Sequence, residues 1–421
     1  MKQRVVVTGM GVITPIGTSC EAFFENALKG QSGVRAITAF NSTEEYSNIA
    51  GIVDKAVDYN TFPEIRDALM NKSRIKRFAI ASTYQALSQA NLFNRKELLL
   101  NCSVYVATAI ADIISMEAQY LKASVRDEQY DWAKHDADLF DSNAFNFNSI
   151  CEDIAASFEL KKNVNTIVTG CTGGVDSVGY AYRQIQEGYD QIAIAGSVDC
   201  PITPFTVGSF SKINATSMRN DAPQKASRPF DRDRDGFVLG EGCGILILES
   251  LEHALKRGAP ILAQITGYGS CNNGEHMTNI NPDGEALSRA IGNALESIQI
   301  NVADIDFINL HGSSTPQNDV AESNALEIIF GDRAKSIPVT STKSLIGHPL
   351  SASNSIEIIS SICSIQSGFI HPTINLDNQD PKCKLNVITS TRNRKYEINK
   401  VLKVSSGFSG IHSALVISKY K

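Results

Sequence analysis

Short apolar runs rich in valine, isoleucine and leucine alternate along the chain with longer stretches whose apolar residues recur at helical spacing. The runs predict strands at Arg4–Gly9, Ser103–Ala107, Asn165–Val168, Gln191–Ala195 and Gly244–Leu248, then at Ile261–Tyr268, Phe307–Leu310, Ile337–Thr340, Val401–Ser405 and His412–Ile417. The periodic stretches predict helices over Ile75–Ala90, Asn148–Phe158, Val175–Gly188, Glu285–Ser297, Asp319–Phe330 and Ser353–Gln366. Strands apolar on both faces and separated by helices describe an α/β protein with covered sheets. The layout occurs twice. Each half holds a strand, a polar turn with reactive side chains and a helix (Thr166–Gly188; Phe307–Phe330, then Ile337–Gln366). Each closes through a glycine-rich turn into a strand (Gly240–Leu248; Gly407–Ile417). The stop signal Arg257-Gly258-Ala259-Pro260 divides the chain into halves 1–258 and 259–421, with the site expected at their seam. Residues 115–147, polar, acidic and aromatic, read as an inserted surface helix and loop.

A length of 421 residues exceeds the usual size of one core, which fits two fused halves. A hydrophobic content of 43% and a charged content of 20% are ordinary for a globular protein, and a net charge of −6 argues against non-specific nucleic-acid binding. No apolar run reaches membrane-spanning length, and the N-terminus enters a strand-like segment without a signal-peptide pattern, so the expected location is the cytoplasm. Nine cysteines with no CxxC pair exclude zinc-ribbon and thioredoxin-type sites, and no metal is expected. Most of these thiols are expected to pack as small hydrophobes.

One cysteine is different. In Asn165-Thr166-Ile167-Val168-Thr169-Gly170-Cys171-Thr172-Gly173-Gly174 an apolar run ends on a glycine-flanked thiol, and a helix follows. Unpaired N–H groups and the helix dipole favour negative charge at such a place, so the thiol is expected to lose its proton more readily and act as a nucleophile. Two further segments end strands in polar turns: Ile308-Asn309-Leu310-His311-Gly312-Ser313-Ser314-Thr315-Pro316 and Ser341-Thr342-Lys343-Ser344-Leu345-Ile346-Gly347-His348. Singly, each histidine reads as an ordinary hydrogen-bonded residue and Lys343 as a solvated one. Together with Cys171 they match a division of labour in acyl chemistry. The thiol holds an acyl group, the histidines donate to a carbonyl oxygen that becomes negative, and lysine adds positive charge for a carboxylate or an enolate. A cysteine-protease reading lacks an orienting acid or amide for one Cys–His pair. Other signals are weaker. Gly9-Met10-Gly11 resembles the start of a dinucleotide fingerprint without its third glycine, and Arg228–Phe237 alternates acid and base as an ion-paired loop would. Lys72, Arg74, Lys76 and Arg77 form a basic cluster at a helix start, either a solvated face or a docking surface for an acidic carrier protein.

Over its whole length the chain resembles the β-ketoacyl-acyl-carrier-protein synthases of the thiolase superfamily. The likeness is carried by Val6-Val7-Thr8-Gly9-Met10-Gly11, Thr169-Gly170-Cys171-Thr172, Arg228-Pro229-Phe230-Asp231, Gly240-Glu241-Gly242 and His276-Met277-Thr278. It continues through His311-Gly312, Thr342-Lys343-Ser344, Gly347-His348 and Gly407-Phe408. Cys171 to Gly179, Pro201-Ile202-Thr203-Pro204 and Thr315-Pro316-Gln317-Asn318-Asp319 make it most similar to ketosynthase α subunits of type II (aromatic) polyketide synthases. That resemblance implies a five-layer αβαβα thiolase-like fold built from two similar halves. It also implies iterative decarboxylative Claisen condensation of malonyl-carrier protein onto a Cys171-bound chain. Substrates would ride on the phosphopantetheine of an acyl carrier protein, with no other cofactor, and a chain-length factor would complete a heterodimer. A chain-length factor typically lacks the nucleophile, so Cys171 marks the catalytic member.

The resemblance also assigns roles. The N–H groups of Cys171 and Phe408 would form the oxyanion hole, with Phe408 gating access. His311 and His348 would promote decarboxylation and hold the enolate, Lys343 would support them, and Glu357 would hydrogen-bond within the site. Ser313 and Thr315 would contact the pantetheine arm. Ser314, Ser351, Asn354 and Ser409 stand where the family favours glycine, and Ala107-Thr108-Ala109-Ile110-Ala111-Asp112 lacks customary glycines near the dimer-side pocket. Rival readings are a fatty-acid-elongating homodimer and a non-catalytic subunit that shapes a partner's product.

Overall fold

The structure is a computed structural model, and it describes residues 2–40, 46–54, 59–125, 129–130, 142–296, 300–390 and 395–421. Eleven strands form the main sheet. They are β1 (Val5–Ile13), β2 (Ser103–Ala107), β3 (Val164–Ile167), β4 (Ile192–Asp199), β5 (Gly242–Ser250) and β6 (Ala263–Asn272), followed by β7 (Phe307–Asn309), β8 (Pro338–Thr340), β9 (Asn386–Val387), β10 (Lys400–Gly407) and β11 (Ile411–Ser418). Their spatial order is β9-β8-β7-β10-β11-β6-β1-β5-β4-β2-β3. From β1 outward the pairings run antiparallel to β5, antiparallel to β4, parallel to β2 and parallel to β3. From β6 outward the sequence of pairings is the same, through β11, β10, β7 and β8. The two first strands meet back to back, with Val5 to Val7 opposite Ala263 to Ile265. One five-strand pattern is thus used twice.

Helices supply the remaining layers. α1 (Arg74–Gln89) and α2 (Ser149–Ser157) cover the outer face of the first five strands; α3 (Gly173–Gln186) lies on their inner face. α4 (Pro204–Lys212) follows β4 beside the site; α5 (Glu285–Glu296) and α6 (Pro316–Phe330) cover the outer face of the second pattern, and α7 (Ala352–Ser367) packs against α3, β4, β5 and β10 at the centre. Three apolar clusters fill the spaces between layers: one around Val175, Val178, Ile356 and Ile359, one around Phe78, Ile80 and Ile154, and one around Leu287, Ile291 and Leu326. The result is the five-layer αβαβα arrangement, with α3 and α7 as the shared middle.

The middle layer requires small residues. A Cβ on Gly174 would lie 2.5 Å from Ser197 Oγ and 2.7 Å from the Ser351 carbonyl, so only glycine lets α3 approach the second half this closely. α7 is buried on every side and carries no amphipathic stripe. Two of its serines donate to carbonyls one turn back, Ser361 to Glu357 at 2.8 Å and Ser364 to Ser360 at 3.0 Å.

Two expectations are sharpened. Gly9 and Gly11, which match only the start of a dinucleotide fingerprint, lie inside β1, where a Cβ would sit 2.1 Å from the Ala86 carbonyl and 1.9 Å from that of Ser82. They let α1 lie on the strand and hold no phosphate. The Arg228–Phe237 loop is knit by ion pairs: Arg228 with Asp377 at 2.9 Å and Arg234 with Asp380 at 2.8 Å. The insertion expected over 115–147 opens with a helix, Ile113–Ala123, and lies outside the described residues at 126–128 and 131–141.

Candidate active site

Cys171 follows β3 on a one-turn helix, Gly170–Thr172, entered through Gly170 at φ +58° and leading directly into α3. Asp176, one turn into α3, fixes the turn. Its Oδ2 accepts from Thr169 Oγ1 at 2.5 Å and Thr172 Oγ1 at 2.6 Å. Its Oδ1 accepts from Tyr268 OH at 2.9 Å and Ser413 Oγ at 2.5 Å, on β6 and β11. The nucleophile's turn is therefore tied to the other half of the molecule. Asn354 of α7 adds a second tie, donating its Nδ2 to the Cys171 carbonyl.

Both histidines reach the same cavity from the second half. His311 follows β7, and its backbone N–H and that of Gly312 donate to the two oxygens of Glu322 at 2.6 and 2.7 Å. His348 follows Gly347, which bends the chain at φ +73°, and its N–H donates to the Val238 carbonyl at 2.7 Å. The two rings stand edge to face with centroids 5.1 Å apart. Beneath them Lys343, wholly buried, donates to the His311 carbonyl at 2.8 Å and to Glu357 Oε1 at 2.6 Å. Ser313 and Thr315 lie at the rim with hydroxyls 2.8 Å apart. The cavity enclosed by Cys171, His311, His348, Leu350 and Phe408 holds about 30 Å³, room for roughly one water.

Phe408 closes it. Its ring also lines an outer cavity of about 260 Å³, bounded by Ile213, Thr278, Ile280 and Pro316, so the phenyl stands between that space and the thiol. It also begins a run of rings: Phe408 to Phe210 at 6.3 Å, Phe210 to Phe237 at 5.4 Å, and Phe237 to His348 at 5.3 Å. The backbone N–H groups of Phe408 and Cys171 bond the sulfur and favour its ionised form.

Electrostatics correct one expectation. Burial pushes the Cys171 thiol up to about 11, against the pull of Lys343 and of the two N–H groups, and Asp199 adds to the rise. Desolvation in so small a cavity outweighs the helix terminus, so the resting residue is a thiol. Burial, reinforced by the charge of Lys343, holds both imidazoles well below their usual range, so His311 and His348 are neutral. Neutral imidazoles and a thiol leave the cavity without an anion of its own, which suits a substrate that brings a carboxylate.

The basic cluster is not a free cationic face. The Arg74 guanidinium is held by Glu241, 2.5 Å at the closest, and lies over the Phe78 ring. Lys72 and Lys76 share Asp153 at 2.5 and 2.9 Å, and Arg77 Nε donates to the Lys72 carbonyl. Arg74 is thus paired within the fold, and Lys72 and Lys76 share a single carboxylate. Sequence reasoning also missed four buried groups. Lys403 of β10 forms an ion pair with Glu357 Oε2 at 2.8 Å, and Glu322 caps the His311 turn. Asn354 holds the nucleophile's carbonyl. Asp199, at the end of β4, accepts from Thr108 Oγ1 at 2.8 Å and from the Ser351 N–H at 2.9 Å. A lysine between apolar strand residues (Leu402-Lys403-Val404) was the one available signal.

Two family models match the chain: "Beta-ketoacyl synthase, N-terminal domain" over residues 2–254 and "Beta-ketoacyl synthase, C-terminal domain" over residues 262–377. The chain is 36% identical to a tetracenomycin polyketide synthase ketoacyl synthase alpha subunit of Streptomyces glaucescens, covering 100% of this chain and 98% of that one. It is also 36% identical to a 3-oxoacyl-[acyl-carrier-protein] synthase 2 of Synechocystis, covering 100% and 99%. Among solved structures it is similar to a type II polyketide ketosynthase bound to a hexaketide, in complex with its acyl-carrier protein, with a TM-score of 0.91, 38% identity and 100% of each chain covered.

Proposed function

The chain belongs to the β-ketoacyl synthase family of acyltransferases, and on that premise we propose that it is the condensing subunit of a type II polyketide synthase. Cys171, two neutral histidines and a paired N–H site converge in one small cavity, and that convergence carries the reading.

Three steps follow. The Cys171 sulfur attacks the thioester carbonyl of an acyl-carrier protein, and the oxygen that becomes negative is held by the N–H groups of Cys171 and Phe408. The carrier thiol leaves with the proton given up by Cys171. Malonyl-carrier protein then enters past Phe408, with Ser313 and Thr315 along its pantetheine arm. Its carboxylate departs as carbon dioxide, and the electron pair of the broken C–C bond forms an enolate whose oxygen accepts from His311 and His348. The carbanion carbon attacks the Cys171 thioester, the C–S bond breaks and the departing sulfur takes a proton from solvent. The chain, now two carbons longer, remains on the carrier protein. Lys343 and Glu357 hold the histidine turns and supply charge beneath them.

The halves 1–258 and 259–421 contribute nucleophile and histidines respectively. Partners are the acyl carrier protein and a chain-length factor, in keeping with the alpha-subunit name of the Streptomyces relative. No helix among the described residues is long and apolar enough to cross a membrane, and we place the protein in the cytoplasm. No cofactor beyond the carrier's phosphopantetheine enters the steps above.

Reconstitution with carrier protein, malonyl donor and partner tests the reading. Cys171→Ala should abolish condensation, and a variant that still extended chains would refute the mechanism. The equal identity to the Synechocystis enzyme supports a second reading, a fatty-acid-elongating homodimer. Efficient extension of saturated acyl-carrier protein by this chain alone would favour it.

A further inference from the structure

β10 carries Lys403 within the apolar run Val401-Leu402-Lys403-Val404, and its side chain is wholly buried. Lysine is among the residues least often buried unless paired. Here the pairing is unusual. Lys403 Nζ lies 2.8 Å from Glu357 Oε2, while Lys343 Nζ lies 2.6 Å from Oε1 of the same carboxylate. Lys403 also donates to the Val404 carbonyl, so it is anchored to its own strand. One glutamate serves two ammonium groups. The groups that face Lys403 are Glu357 on α7, Lys343 before it, Glu322 on α6, and the two histidines, both of which its charge reaches.

A lone lysine–glutamate pair is neutral. A second lysine on the same carboxylate leaves an excess positive charge in the cluster, and burial keeps solvent from screening it. Glu322 also bears on Lys403, and burial raises its carboxyl to about 7, so near neutrality it offsets that excess only in part. We propose that Lys403 is a positioning residue for malonyl decarboxylation: it holds one oxygen of Glu357 and so fixes Lys343 beneath His311. The inference rests on the ketosynthase reading above. It concerns the second half-reaction, since the first needs only the thiol and the two N–H groups.

Lys403→Met, of similar length and without charge, separates the half-reactions. Cys171 acylation, followed by intact mass, should stay near the wild-type rate. Release of carbon dioxide from malonyl-carrier protein should fall about ten-fold in kcat with KM little changed, the scale expected when a reacting group loses its orientation. A structural role would depress both together. Burial brings Lys403 itself down to about 8, so wild-type decarboxylation should decline as pH rises through that value and the Lys403→Met profile should lack this limb. Unchanged decarboxylation, or parallel loss of acylation, overturns the proposal. Should Lys403→Met fail to fold, the wild-type profile decides, and a flat profile between about pH 7 and 9 overturns it. A wild-type protein that neither takes an acyl group at Cys171 nor decarboxylates malonyl-carrier protein refutes the ketosynthase reading itself, a result distinct from either.

Discussion

Cys171 should be a sluggish nucleophile in the resting protein, and the degree can be worked out. An exposed cysteine with a pKa of about 8.5 is roughly one-quarter thiolate at pH 8. Cys171, pushed up to about 11 by burial, is about one part in a thousand. The thiolate fractions therefore differ by about 240-fold. A more basic thiolate is also more nucleophilic, and a Brønsted slope of about 0.4–0.5 returns roughly 13-fold over that interval. Alkylation should thus run about 20-fold slower than for an exposed thiol, before any hindrance from the closed cavity.

The assay is iodoacetamide labelling from about pH 6.5 to 9.5, with the Cys171 peptide quantified by mass spectrometry. Closure by Phe408 scales every rate alike and leaves the pH slope untouched, so slope separates access from ionisation. The logarithm of the rate should climb by about one per pH unit with no plateau. A plateau below about pH 9 would mean that the helix terminus and Lys343 overcome desolvation, and the argument from burial would fail.

Three shorter predictions follow from the same contacts. Asn354→Gly removes a donor to the Cys171 carbonyl but also an amide oxygen buried without a partner; the two effects oppose, so unfolding free energy should change by less than about 1 kcal/mol while Cys171 acylation slows. Chemical denaturation and intact-mass time courses check both halves of that statement. Asp199→Asn turns an amide NH₂ toward donors that now bond a carboxylate and should cost about 2–4 kcal/mol in urea unfolding. Burial raises Asp199 to about 6, above its unfolded value of about 3.9, so its contribution is full below pH 4 and is lost as pH rises toward 6; the variant's stability should be flat across that window. Phe408→Ala should join the inner and outer cavities and accelerate Cys171 alkylation several-fold at every pH with the slope unchanged; an altered slope would show that Phe408 acts on ionisation instead.

Strands buried on both faces were readable because they are continuous apolar runs, but their ends were not. β4 continues four residues past Ala195 through Gly196-Ser197-Val198 to Asp199, because β5 pairs with it there and no local preference records that pairing. The helix Cys20–Leu28 and α4 went unread: the first is a short three-turn segment and the second is rich in serine and threonine. Cys171, His311, His348, Lys343 and Glu357 were legible because each lies in or near a motif whose neighbours also matter. Lys403, Asp199 and Asn354 act through partners far away in sequence, and Glu322 through backbone N–H groups ten and eleven residues before it; a chain read locally gives no sign of such pairs. The basic cluster shows the same limit: Lys72 and Lys76 share Asp153, about eighty residues on, a pairing that no local reading records.

The residues that stand where the family favours glycine fall into two physical kinds. Ser314 and Ser409 keep the left-handed backbone that glycine would adopt, at φ 69° and 66°, a conformation that costs a residue with a Cβ about 1–2 kcal/mol. Each is held there by hydrogen bonds. Ser314 Oγ accepts from the Arg228 N–H at 3.0 Å, and the Ser409 N–H donates to the Met277 carbonyl at 2.7 Å. Ser351 and Asn354 are helical instead and use their side chains inward, Ser351 on Asp199 and Asn354 on the Cys171 carbonyl. Glycine at these four positions would leave the turns around the thiol free to move. Side chains there, together with Asp176 tying the nucleophile's turn to β6 and β11, hold a cavity with room for about one water. An acyl chain cannot enter it without displacing Phe408, whose backbone N–H is also half of the oxyanion site. Opening for substrate therefore perturbs the donor that the first transition state needs.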